Sequence, residues 1–64
     1  MKVKYDKELD ILYIHFSEEK IVESDEDKPG TILDYDEKGN IVGIEVINAS
    51  TKIPQPMKFE YEVA

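Results

Sequence analysis

Cysteine is absent, so neither a disulfide nor a thiolate metal site can brace this chain. Arginine is absent as well: all eight basic residues are lysine, against fifteen acidic ones, for a formal charge of −7. Arginine is the side chain best shaped for bidentate contact with guanine and phosphate, and phosphate binding draws on clustered positive charge. The sequence therefore predicts no nucleic-acid ligand. Long apolar runs are also missing. The longest aliphatic or aromatic run is Ile11-Leu12-Tyr13-Ile14, far below the ~18 residues a membrane span requires, so no membrane partner is expected. Met1-Lys2-Val3-Lys4 leads straight into charged residues with no apolar stretch of the kind a signal peptide carries. With the lack of cysteine, this predicts a cytoplasmic chain. No helical pattern runs uninterrupted for ten residues, and no internal repeat is present.

What is present is strand periodicity. Sixty-four residues allow a single domain spanning 1–64. Lys2 to Asp6 alternates, with Val3 and Tyr5 on one side. Ile11 to Ser17 is rich in β-branched and aromatic residues, with Leu12, Ile14 and Phe16 opposite Ile11, Tyr13 and His15. Ile21-Val22 starts a third strand expected to dissolve into the acids Glu23, Asp25, Glu26 and Asp27. Lys28-Pro29-Gly30 is a turn, Thr31 to Tyr35 a fourth strand, and Asp36 to Asn40 a hairpin loop with Gly39 in the left-handed position. Ile41 to Ile47 is a fifth strand. Pro54 and Pro56 interrupt the tail 51–64, after which Lys58 to Val63 alternates well enough to predict a sixth strand. The expected fold is mainly β: a small antiparallel β-meander of five to six strands. Two strands carry apolar residues on both faces, and a chain this short buries only about 60% of its unfolded surface. Packing as a homodimer is therefore expected.

Three segments carry a resemblance to a family. They are Lys4-Tyr5-Asp6 through Asp10-Ile11-Leu12-Tyr13-Ile14, then Gly30 through Asp36, then Gly39 through Ser50. In that order they resemble the prokaryotic domain-of-unknown-function family 2283 (DUF2283), over roughly the first fifty residues. The resemblance implies no activity, cofactor or catalytic residue. Some members lie beside small RelE-like toxins and are proposed to neutralise them, so it also implies an antitoxin-like possibility. Many members follow the Ala-Ser segment with a helix. Here the prolines and the alternation from Lys58 to Val63 speak against one.

Candidate sites follow from residue type. Asp34 to Glu45 can be read as a calcium loop, with Asp34, Asp36 and Glu45 at acidic positions and Gly39 at the glycine position. Lys38 stands where a ligand oxygen is needed, and the flanks alternate as strands, so a hairpin with solvated acids is expected. If residues 41–45 are extended, Glu45 does not fold back to chelate. Glu23, Asp25, Glu26 and Asp27 suit an edge strand that repels strangers or a lysine-rich partner patch. His15 and Ser17 share a face, the seed of a hydrolase pair, but no nucleophile turn surrounds Ser17. Tyr13 and His15 are instead expected at a sheet or partner surface. The composite expectation is a non-enzymatic, cofactor-free protein-interaction module that binds a small basic protein such as a toxin. The rival is a metal-binding or enzymatic domain built on His15 or the acidic loops.

Overall fold

The computed structural model describes residues 1–64. β1 (Lys2–Asp6) and β2 (Ile11–His15) form an antiparallel hairpin with Lys4 opposite Tyr13 and Asp6 opposite Ile11. Its turn is tied by the Leu9 amide donating to Asp6 Oδ1 at 2.9 Å and by Asp10 in the left-handed region at φ 55°. Leu9 itself stands in solvent. β3 (Glu23–Lys28), β4 (Thr31–Tyr35) and β5 (Ile41–Ile47) form an antiparallel meander. The two blocks join where β2 pairs with β5, giving one five-stranded sheet in the order β1-β2-β5-β4-β3. The last strand in sequence is thus the middle strand in space.

Alternation sorts the side chains. Val3, Tyr5, Leu12, Ile14, Leu33, Ile44 and Val46 share the apolar face, aligned by the pairs Tyr5–Leu12, Leu12–Val46 and Leu33–Ile44. The opposite face carries two polar rows that cross all five strands. One runs Lys2, His15, Gly43, Asp34, Ser24, and the other Lys4, Tyr13, Glu45, Ile32, Glu26. Burial is sparse. Only five of 64 residues are buried, among them Leu12, Val42, Ala49 and Asp34. Val3, Phe16, Ile21, Val22 and Ile41 remain substantially exposed.

Three expectations change. The third strand is not Ile21-Val22 fading into acids. It is the acidic stretch itself, Glu23–Lys28, exposed along its whole length. An edge strand needs only one ladder neighbour, and solvent reaches both of its faces, so acidic side chains cost it little. A helix does form here, but it contains the Ala-Ser segment rather than following it: α1, Ala49–Lys52, a single turn entered through Asn48 at φ 55°. Ala49 is fully buried, and the prolines stop the helix after one turn rather than forbidding it. Lys58 to Val63 forms no strand. Lys58 and Glu60, two residues apart, form an exposed ion pair at 2.9 Å. With no ladder partner, the pattern alone does not make a strand, and Tyr61 is 92% exposed. No helix is long and apolar enough to cross a membrane.

Candidate functional site

α1 is held at one end of the sheet by a single carboxylate. Asp10 accepts from Tyr5 Oη at 2.6 Å, from the Ser50 amide at 3.0 Å and from Ser50 Oγ at 2.6 Å. Its own carbonyl accepts the Ala49 amide at 3.0 Å. Three donors favour the charged form, so the Ser50 and Tyr5 bonds hold the Asp10 carboxyl below the usual range. The same hydrogen bond raises the Tyr5 phenol. Asp10, Ala49 and Ser50 all lie in segments that carried the family resemblance, and what they build here is a joint.

The chemistry gathers on the polar face. Asp34 is the next-to-last residue of β4 and is fully buried. Its Oδ1 accepts Ser24 Oγ at 2.6 Å, while Oδ2 has no hydrogen-bond partner. Gly43 lies directly opposite on β5. A Cβ there would stand 3.4 Å from Asp34 Oδ2 and 3.1 Å from the Ile14 carbonyl, so the missing side chain gives the carboxyl its place. Glu45, two residues on, is its diagonal neighbour. Burial first, then a proton shared with Asp34 and repulsion from its charge, push Glu45 up to about 7. Ionised, Glu45 offers Asp34 Oδ2 no donor; protonated, it supplies the missing one. Tyr13 and His15 flank the pair with their rings edge to face, centroids 6.3 Å apart. Lys4 Nζ stands 5.7 Å from the Tyr13 ring centroid. Lys2, Lys4, Tyr13, His15, Ile21, Asp34 and Glu45 together line a cleft of 380 Å³.

The structure thus joins residues the sequence grouped differently. Asp34 and Glu45 meet, but through strand pairing, not through a loop. Asp36 stays apart in the hairpin, where its carboxylate accepts the Lys38 and Asn40 amides at 2.9 Å each and the Asn40 side chain at 3.3 Å. The Asn40 amide above all lowers its pKa. A larger depression of 590 Å³ lies beside that loop, yet Asp36 there is already committed to its own turn. No group of three or more His, Asp or Glu side chains is placed to hold a metal ion. Ser17 Oγ accepts the Glu19 amide at 3.3 Å, and no hydrogen bond links it to His15. Asp25 and Glu26 point to opposite faces of β3, opposite Leu33 and Ile32 respectively. Glu23, Asp25, Glu26 and Asp27 form no shared pocket; Glu26 instead accepts the Gly30 amide at 2.8 Å. The sequence signal for this pair, Asp34 buried and Glu45 half-buried, was an Asp between Leu33 and Tyr35 and a Glu between Ile44 and Val46, each a charge inside an otherwise apolar strand.

A family model described as a protein of unknown function, DUF2283, matches residues 2–50. The chain belongs to this family. No curated protein and no solved structure matches it. The DUF2283 match covers all five strands and ends at Ser50, the residue that closes the Asp10 joint.

Proposed function

We propose that this DUF2283 chain is a non-enzymatic protein-interaction module whose sheet is completed by other polypeptides. The supporting observation is the shortage of burial: five buried residues in 64, with Val3, Phe16, Val22 and Ile41 still in contact with solvent. A second copy meeting the apolar face supplies the missing second layer, as small domains commonly require. A small basic protein is the partner that suits a charge of −7 and the acidic edge β3, whose outer backbone groups are free. An antitoxin-like role toward a basic toxin is the concrete form of this reading.

The test is capture of the chain with a basic partner encoded beside it, followed by binding at increasing salt. Affinity should fall steeply as ionic strength rises, because the contacts are between solvated charges. Binding that ignores salt, or no binding by any basic protein presented, refutes the reading.

A further inference from the structure

The polar-face cleft has the makings of a socket. Asp34 Oδ2 is buried and unpartnered at its base. Glu45 forms a second acidic wall, and Tyr13 presents an aromatic surface that already has a cation, Lys4, near its ring. The chain does not neutralise the pair itself. Its one ion pair is Lys58 with Glu60, far along the tail, so Lys2 and Lys4 line the cleft without bonding either carboxylate. The sequence contains no arginine, so no internal group has the planar, multi-donor shape that two carboxylates on diagonal sheet positions call for.

We infer that the cleft lined by Asp34, Glu45, Tyr13 and His15 is a binding site for a guanidinium group, the arginine side chain of a protein partner. The guanidinium lies against the Tyr13 ring and donates to the Glu45 carboxylate, and its charge offsets the buried Asp34 carboxyl beneath in place of the proton that Glu45 shares with it. His15 lines the cleft too, but it is not placed with the two carboxylates to hold a metal ion, and a pair of carboxylates suits an organic cation better than a hard metal ion, which gathers six or more oxygens. Gly43 leaves the space in which the Asp34 carboxyl sits. The partner half of this inference rests on the interaction reading above; the guanidinium half does not.

The experiment titrates the full chain with methylguanidinium at about pH 8, following amide and ring resonances at constant ionic strength. Tetramethylammonium, a cation without donors, and methylammonium serve as comparisons. Saturable shifts at Tyr13, Gly43 and Glu45 are expected for methylguanidinium, with a Kd on the order of 1 mM. Tetramethylammonium should give none, and methylammonium should bind several-fold more weakly. Asp34 is too deeply buried for a substitution there to separate binding from folding, so the half-buried Glu45 is the position to change. Glu45→Gln should weaken binding roughly tenfold, and Lys4→Gln, which removes a competing cation, should strengthen it a few-fold. Equal shifts from all three cations, or unchanged affinity in Glu45→Gln, overturn the site. Methylguanidinium binding in a chain that captures no basic protein sinks the interaction reading alone. Capture of a basic protein without methylguanidinium binding sinks the site alone.

Discussion

Glu45 makes the stability of this fold depend on pH in a direction unusual for an acidic protein. Its carboxyl is harder to ionise folded than unfolded, moving from 4.5 to about 7. Its contribution is therefore complete below pH 4.5 and is lost as pH rises through about 7. The groups facing it are Lys2 and Lys4 on β1, Tyr13 and His15 on β2, Asp34 on β4 and Glu26 on β3. Comparison with Glu45→Gln isolates its part. Denaturant melts should show wild-type stability falling between pH 5 and 8, while the variant changes much less. Equal slopes would remove Glu45 as the cause. Asp10 acts with the opposite sign. Its pKa is lowered from 3.8, so its contribution is present above that value and lost as pH falls below it. Ser50→Ala should lower the Tm by several degrees and shrink that acid-side loss, since it removes one of three donors to Asp10. None of this pairing was visible in sequence. The sequence offers Asp34 and Glu45 only as ends of a calcium loop that the strand pattern disfavours, and predicts solvated acids there, because their meeting depends on the register of β4 against β5; Asp10 meets Ser50 across forty positions of chain.

At the scale of elements, the strands were legible because alternation is a local property. Lys2–Asp6, Thr31–Tyr35 and Ile41–Ile47 fall where the pattern places them. The errors came where structure is decided by neighbours. β3 has almost no apolar pattern and exists because β4 offers it a ladder, while Lys58 to Val63 has the pattern and finds no ladder. Turn chemistry was also legible. Gly39 sits at φ 82°, with open space where a Cβ would go. Gly39→Ala should therefore cost about 1 kcal/mol through backbone conformation alone, and Gly39→Asn less, because asparagine tolerates the left-handed region. Urea titrations of both variants check this, and an alanine variant as stable as wild type would contradict it.

For the whole molecule, thinness is the governing fact. The Cα trace spans 35 × 32 × 19 Å, and one sheet with a single helical turn at its end leaves most large apolar side chains partly wet. The proposed dimer follows from this, and it makes stability depend on concentration. The Tm should rise across a hundredfold increase in protein concentration, with sedimentation showing the doubled mass over the same range. A Tm independent of concentration at a monomer mass would exclude the second copy as the covering layer. Sequence length and composition foretold the shortage of core; which side would be left uncovered required the strand order.

That strand order also sets a clock. During synthesis the β1–β2 hairpin leaves the ribosome long before β5, the only strand that binds both β2 and β4. A lone hairpin is marginal in water, so the nascent chain has no stable intermediate to rest in. The complete sheet therefore has to wait for β5, and until that strand is in place the early ones stay open to chaperones or to a waiting partner.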